Sequence, residues 1–239
     1  MFVLVILLIA VFTATFWIGY RRVLRFKHLT RTRVITVVFS AMIILTIMTA
    51  AHRWGFFPQY IAARFTMGLY IMVAGFFLGF STKQYRLKRK AGYLEYVCRS
   101  LWSDSLPKLI SILLIAFGIY RTQVLLLGPF TGIGITSGLS LITFGLLGLT
   151  IQMVPEFREN GLLILDRFVY WKKVMGYHWH DEQTLQIEYL NIEDQITTFN
   201  TAIPPDDHLR LERILSQKMA EHEEERKQTL MDNGLSASA

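Results

Sequence analysis

The sequence predicts a membrane protein: an α-helical bundle of about five transmembrane helices followed by a small C-terminal α+β domain. Of the 239 residues, 52% are hydrophobic, above the roughly 45–50% typical of a soluble domain. These residues form long, nearly uncharged runs in the first two thirds of the chain. The last third instead has short runs of aromatic and β-branched residues, which indicate strands.

Charge divides the chain at the same place. Residues 1–154 contain 16 Lys/Arg and two acidic residues, whereas residues 155–239 contain nine Lys/Arg and 16 acidic residues. The basic residues lie beside the apolar runs, which indicates membrane topology and contact with anionic lipids. We therefore expect membrane lipids and other membrane protein subunits as partners, and no nucleic acid.

A helix needs roughly 20 apolar residues to cross the hydrocarbon core of a bilayer. Basic residues follow the first apolar run instead of preceding it, and no Ala-x-Ala site ends it, so we expect an uncleaved anchor and not a signal peptide. The five predicted spans are residues 2–19, 34–51, 61–80, 108–127 and 132–154.

The connecting segments predict the orientation of the spans. Segments 20–33 and 81–108 contain six and seven Lys/Arg, whereas 52–64 contains two and 128–131 contains none. By the positive-inside rule the first two segments are cytoplasmic. The N-terminus is then outside and the C-terminal domain is in the cytoplasm. If residues 108–154 crossed only once, with a re-entrant piece, the C-terminus would lie outside.

Five residues in the predicted spans are candidate functional or packing positions. Arg121 lies near the end of the fourth span, where its side chain can reach interfacial water or take part in an ion pair or ligand site. Gly75 and Gly79, and likewise Gly134 and Gly138, form G-x-x-x-G pairs that permit close helix packing. The contact made by these pairs is either within the chain or with a partner.

Residues 84–102 are predicted to form an amphipathic helix at the membrane interface. Apolar residues recur there at three- and four-residue spacing, with Arg and Lys on the opposite face, as in helices that lie on anionic membranes. The single cysteine, Cys98, has no partner for an internal disulfide and is interpreted as a small apolar residue.

The C-terminal domain is predicted over residues 155–220. A helix should begin after residues 204–207, where acidic residues suit its first turn, and residues 221–239 read as a charged, disordered tail. The predicted strands are residues 162–165, 167–171, 175–180, 184–190 and 196–203.

Three motifs in this domain carry a resemblance to a known family. They are Glu159-Asn160-Gly161-Leu162-Leu163, the run 168–174 (FVYWKKV), and Tyr177-His178-Trp179. Over residues 156–220 the chain resembles a bacterial membrane-protein domain family of unknown function. The resemblance implies a pleckstrin-homology-like (PH-like) fold and a bacterial inner membrane, cytoplasmic or intracytoplasmic. It implies no activity.

Three aromatic residues of the domain, Trp171, Tyr177 and Trp179, are expected in the core or in contacts with the membrane, in preference to a ligand cage. His178 and His180 share one strand face, but without a third well-placed ligand we expect a solvated face and no metal site.

The sequence contains no Gly-rich phosphate loop, nucleophile elbow or catalytic carboxylate pair. We therefore expect a non-catalytic accessory or scaffold subunit with no cofactor. One alternative is a small oligomeric transporter or channel that uses Arg121. Another is a pigment- or cofactor-associated subunit of an electron-transfer or light-harvesting complex, with His28 or His52 as ligands.

Overall fold

The computed structural model describes most of the chain in two compact units. The helical unit comprises Met1–Tyr85 and Leu106–Ile151, and the sheet unit comprises Arg86–Ser105 and Gln152–Ala239. The described residues are 2–21, 43, 47, 50, 54, 55, 58–98, 105–124, 128, 130–152, 154–165, 167–181, 183–191, 195–225 and 227.

Four helices account for nearly all described residues of the helical unit: α1 (Phe2–Arg21), α2 (Gln59–Lys90), α3 (Leu106–Thr122) and α4 (Gly132–Thr150). The end of α2, from Arg86 onward, belongs to the sheet unit. Within the described residues, three helices are long and apolar enough to cross a membrane: α1, α2 from its second residue, and α4.

The predicted spans 2–19, 61–80 and 132–154 therefore coincide with helices of spanning length. The predicted span 108–127 corresponds to α3, which has 17 residues and ends at Thr122. The predicted span 34–51 lies outside the described residues apart from single positions. The number of five spans stays a prediction.

Helices α1 and α2 pack closely because glycines face backbone across the contact. A Cβ atom added at Gly19 would collide with the carbonyl oxygen of Phe76, and one added at Gly79 would collide with that of Phe16. A Cβ at Gly75 would lie only 2.6 Å from the carbonyl oxygen of Phe12. Such small residues allow two helices to approach backbone to backbone.

Helix α4 packs against α3 by the same means. A Cβ at Gly138 would lie 2.6 Å from the carbonyl oxygen of Gly118, and one at Gly145 would lie 2.7 Å from that of Ser111. The contacts run in opposite directions along the two helices, so α3 and α4 form an antiparallel hairpin. On its other side α4 meets α2, where the Phe77 and Phe144 rings are 4.9 Å apart.

The described part of the sheet unit contains seven strands and a terminal helix. Its first sheet has the antiparallel order β1 (Leu94–Val97), β2 (Glu156–Arg158), β3 (Gly161–Ile164) and β4 (Arg167–Tyr170). Its second sheet has the order β5 (Val174–Asp181), β6 (Thr184–Leu190) and β7 (Ile196–Ala202). Helix α5 (His208–Glu221) follows.

One hydrophobic core joins both sheets to α5. Phe157 and Trp171 enter it from the first sheet and its following 3₁₀ turn, Ile187 from the second sheet, and Leu211 and Leu215 from α5. The side chains of Trp171, Ile187, Leu211 and Leu215 are no more than 1% exposed. The predicted C-terminal antiparallel sheets and terminal helix are therefore confirmed. Residues 223–225 of the predicted tail are helical, and residues from 228 onward lie outside the described part.

The prediction of one interfacial helix over residues 84–102 is wrong. Helix α2 continues to Lys90, the chain turns at Gly92, and Leu94–Val97 forms strand β1. Gly92 has a φ of +81°, a left-handed conformation that favours glycine and ends helices. Tyr96 and Cys98 are buried and Val97 between them is partly exposed, which is the alternation of a strand against a core.

Candidate functional site

Strand β1 occupies an unusual place in the chain. It follows α2 directly and precedes α3, yet its hydrogen-bonded neighbour in the sheet is β2, which follows α4. The α3–α4 hairpin is therefore inserted between two adjacent strands of one sheet. We call the group of residues that fix β1 and the end of α2 in the sheet unit the β1 junction: Lys88, Glu95, Tyr96, Glu156, Arg158, Asp207 and Lys218.

A buried carboxylate lies at the centre of the β1 junction. The Glu156 side chain is 1% exposed; Lys88 Nζ lies 2.8 Å from its Oε1 atom, and Arg158 Nε donates to its Oε2 atom at 2.5 Å. A buried carboxylate needs such partners because its desolvation is costly. Two cations around one anion leave a net positive charge. Lys88 Nζ also donates a hydrogen bond of 3.3 Å to Gln152 Oε1.

Arg158 also completes the end of α2. Its NH1 group donates to the carbonyl oxygens of Lys88 at 3.2 Å and Gly92 at 2.8 Å. The last carbonyls of a helix lack partners within the helix and carry partial negative charge. The guanidinium therefore satisfies the Lys88 carbonyl of α2. Through Glu156 it also connects the end of α2 to β2.

Two neighbouring side chains of β1 also contact the terminal helix and the residue before it. The Tyr96 hydroxyl donates to Asp207 Oδ2 at 2.9 Å, just before α5 begins, and Lys218 Nζ lies 3.0 Å from Glu95 Oε1. Burial, followed by the hydrogen bond to Asp207, raises the pKa of the Tyr96 phenol well above its ordinary value. The phenol is therefore a protonated donor at all physiological pH values.

Cys98 lies beside this contact and is buried. Burial, and next the negative charge of Asp207, raises the pKa of its thiol. Reactive cysteines need a lowered thiol pKa and some exposure. The interpretation of Cys98 as a small apolar residue therefore fits its surroundings.

The charges of the β1 junction compensate one another, so the group has a structural role. Its cations face carboxylates or backbone carbonyls, and its acids face cations or a phenol. Across the described residues, no three His, Cys, Asp or Glu side chains are grouped so that they could hold a metal ion. Within the sheet unit, the arrangement holds together the end of α2, β1, β2 and α5.

The structure places most of the predicted glycines at helix contacts within the chain. Gly75 and Gly79 face α1, and Gly138 faces α3. Gly134 has a second role, because its backbone N–H donates to Thr131 Oγ1 at 3.1 Å and so caps α4. Arg121 lies in the last turn of α3 with an exposed side chain, and its backbone carbonyl oxygen faces Gly134 of α4.

The three predicted aromatic residues belong to the core region. Trp171 is 1% exposed, and its indole N–H donates to the carbonyl oxygens of Arg158 and Glu159 at 3.0 and 3.1 Å. Tyr177 and Trp179 are partly buried and pack against the core. Trp179 also stacks on His208, with the ring centroids 3.8 Å apart.

His178 and His180 are both exposed on the outer face of β5, as is Asp181. Because this face looks away from the core, the pair is part of a polar surface. The other two histidines considered as pigment ligands, His28 and His52, lie outside the described residues.

A cleft of about 360 Å³ opens at the edge of the first sheet near the end of α5. His222 Nδ1 and Glu225 Oε2 lie 3.5 Å apart on one side of it. Its charges are of both signs, so it favours no single class of ligand. The lining residues are Asn160, Tyr170, Trp171, Lys172, His222 and Glu225.

The sequence interpretation missed the β1 junction. Its signal was present: Gly92 interrupts the helical pattern, and the next residues (YLEYVC) are mostly aromatic or aliphatic with a strand-like alternation. The burial of Glu156 could not be found in this way, because a charged residue in a strand is usually exposed.

Comparison with known proteins identifies a family for part of the chain. Residues 154–220 match a family model described as "Domain of unknown function (DUF5673)". This agrees with the resemblance to a family of unknown function over residues 156–220. No curated protein and no solved structure gives a significant match. The matched segment begins after α4 and therefore does not include β1.

Proposed function

We propose that the chain is a multi-pass inner-membrane protein that acts as a non-catalytic accessory subunit, with its helices packed against partner membrane proteins. In this proposal the sheet unit is a cytoplasmic PH-like domain. The observation that carries the proposal is the pairing of β1 with β2 across the inserted hairpin.

This pairing constrains the topology. Two strands joined by backbone hydrogen bonds must lie on the same side of a membrane, because a sheet cannot continue across the hydrocarbon core. The intervening chain therefore leaves and returns to that side, so α3 and α4 together make an even number of crossings. The pairing thus supports two crossings by α3 and α4 over the alternative of one crossing with a re-entrant piece.

The side is proposed from charge. The segment that contains β1 is the most basic connection of the chain, with seven Lys/Arg in residues 81–108. The positive-inside rule favours the cytoplasm for it. The β1–β2 pair supports the same side for the whole sheet unit.

A PH-like fold is supported by the arrangement of the sheet unit. The sequence resemblance led us to expect antiparallel strands closed by a terminal helix. The sheet unit has antiparallel sheets of four and three strands and a C-terminal helix. The difference lies in the connection between the first two strands, which here is the helical hairpin.

An accessory role is supported by the faces that the helices leave uncovered. Helix α3 presents one face to α4 and exposes its opposite apolar face, and α1 is exposed along most of its length. A transporter is supported less well, because Arg121 is exposed and Gly138 is occupied in the α3–α4 contact. The exposed large apolar side chains of α3 are Leu106, Leu109, Ile110, Ile112, Leu113, Phe117 and Tyr120.

Two experiments test the proposal. Single cysteines at Tyr93, which is 83% exposed, and at Asn160 should react with an impermeant reagent from the cytoplasmic side only. A cysteine at Phe130, at the far end of the hairpin, should react from the opposite side. If Tyr93 and Asn160 react from opposite sides, the topology is wrong.

The accessory role is tested by crosslinking in native membranes followed by purification in a mild detergent. A stoichiometric membrane-protein partner is the expected result. A lone monomer with no crosslinked partner would contradict the accessory role and leave the topology intact.

A further inference from the structure

The helical unit has no acidic residue. Residues 1–85 and 106–151 contain 11 Lys/Arg and not one Asp or Glu. The cations of this unit therefore cannot form ion pairs with carboxylates of the same unit. A membrane-embedded helical unit of this composition needs anions from another source.

Two of these cations lie over aromatic rings at one end of the α1–α2 pair. The Arg21 guanidinium is 4.9 Å from the centre of the Trp17 ring, and Lys83 Nζ is 5.1 Å from the centre of the Tyr20 ring. The two rings are themselves stacked, with centroids 6.2 Å apart. We call these four residues the Arg21–Lys83 cluster.

Close packing holds the two halves of the cluster together. Gly19 and Gly79, which let the α1 and α2 backbones touch, are within two and four residues of Arg21 and Lys83. The packed helices thus hold both cations at the same end of the α1–α2 pair. Preorganised charges lose little conformational entropy on binding.

We infer that the Arg21–Lys83 cluster binds the phosphate of an anionic phospholipid, with an acyl chain along the exposed apolar surface of α1. This inference rests on the proposed membrane embedding. Charge complementarity supports it, since two cations face no carboxylate of their unit. The surroundings favour a lipid over an acidic protein segment: Trp17 is 53% exposed, α1 is apolar up to Ile18, and Trp and Tyr are typical of the headgroup level.

The test is lipid binding by the full-length protein in mild detergent, measured by native mass spectrometry. Phosphatidylglycerol is the anionic probe and phosphatidylcholine the neutral one. The wild-type protein should retain one phosphatidylglycerol in preference to phosphatidylcholine, and the variant R21Q/K83Q should bind it roughly 30-fold more weakly. Inorganic phosphate at the same concentration should not compete, because it lacks the acyl chains.

Two further variants make the result specific. R64Q removes a cation that also lies over a tyrosine of α2, 5.5 Å from the Tyr60 ring centre, but near the start of that helix; it should leave the retained lipid in place. R21K/K83R keeps both charges and should bind like the wild type. If R21Q/K83Q does not fold, the single variants should each weaken binding about fivefold.

The outcomes separate the two proposals. Equal retention of phosphatidylglycerol by the wild type and R21Q/K83Q, or competition by free phosphate, overturns the lipid site and leaves the membrane embedding unaffected. An acidic protein segment crosslinked to position 83 also overturns it. A protein that takes up neither lipid contradicts the membrane embedding itself.

Discussion

Lys88, in the last turn of α2, and Glu156, the first residue of β2, form an ion pair of 2.8 Å that closes the chain around the whole α3–α4 hairpin. Arg158 shares the carboxylate and also donates to the Lys88 carbonyl oxygen in the last turn of α2. These contacts therefore fix the end of α2 against β2 within the sheet unit.

Glu156→Gln should destabilise the protein by about 3–5 kcal/mol, because it leaves two cations without their buried counter-charge. Chemical unfolding in detergent, followed by the fluorescence of Trp171, measures the change. Glu223→Gln is the control: Glu223 pairs with Lys227 at the surface, where such a pair contributes about 0–1 kcal/mol. Equal effects of the two substitutions would contradict the role of the buried carboxylate.

Gly79→Ala should loosen the α1–α2 contact at a cost of about 1–3 kcal/mol, because the new methyl group meets the backbone of α1. The thermal unfolding midpoint of the detergent-solubilised protein should fall. Gly68→Ala is a matched control in the same helix, since a Cβ there has no neighbour within 4 Å. It should leave the midpoint unchanged or raise it, because alanine favours helices.

Tyr96→Phe should reduce stability by about 1–3 kcal/mol at neutral pH, because it removes the hydrogen bond to Asp207. The substitution should also change the response to alkali. Folding raises the pKa of Tyr96, so its contribution is fully present below the unfolded pKa of about 10. It is lost as pH rises toward the folded pKa.

Between about pH 10 and 11, the free energy of unfolding should therefore fall less steeply in Tyr96→Phe than in the wild type. The measurement is denaturant unfolding across this pH range. Tyr93→Phe, at an exposed position of the same segment, should show the wild-type slope. An unchanged slope in Tyr96→Phe would mean that the phenol does not couple folding to alkaline pH.

A soluble fragment limited to residues 154–221 should be unstable or aggregate, because it lacks β1 and exposes the edge of β2. A fragment in which residues 91–98 are joined to 154–221 by a flexible linker should unfold cooperatively. Circular dichroism during thermal unfolding separates the two. If the shorter fragment is equally stable, β1 contributes little to the sheet unit.

The strands of the sheet unit could be predicted because their alternation is local. In β6, Leu185, Ile187 and Tyr189 are buried, and this pattern is visible in seven consecutive residues. The glycine contacts were predictable in kind, since G-x-x-x-G spacing permits close approach, but the partner helix was not. Gly79 faces α1 for reasons of three-dimensional packing that no spacing encodes.

The error over residues 84–102 has a physical origin. Residues at three- and four-residue spacing there satisfy a helical pattern, while pairing with β2 is a contact between segments far apart in the chain. Such non-local pairing can override local periodicity. The β1 junction could not be predicted for the same reason, because its residues come from three distant segments: Lys88 and Tyr96 from the first, Glu156 from the second and Asp207 from the third.

The inserted hairpin also imposes an order on biosynthesis. Strand β1 leaves the ribosome several seconds before β2, at translation rates of roughly 5–20 residues per second, and can pair only after α3 and α4 have both been placed. In the proposed topology, a hairpin inserted with only one crossing would leave β2 on the opposite side of the bilayer from β1. In the proposed topology, the first sheet can therefore be completed only after both helices have been inserted into the membrane.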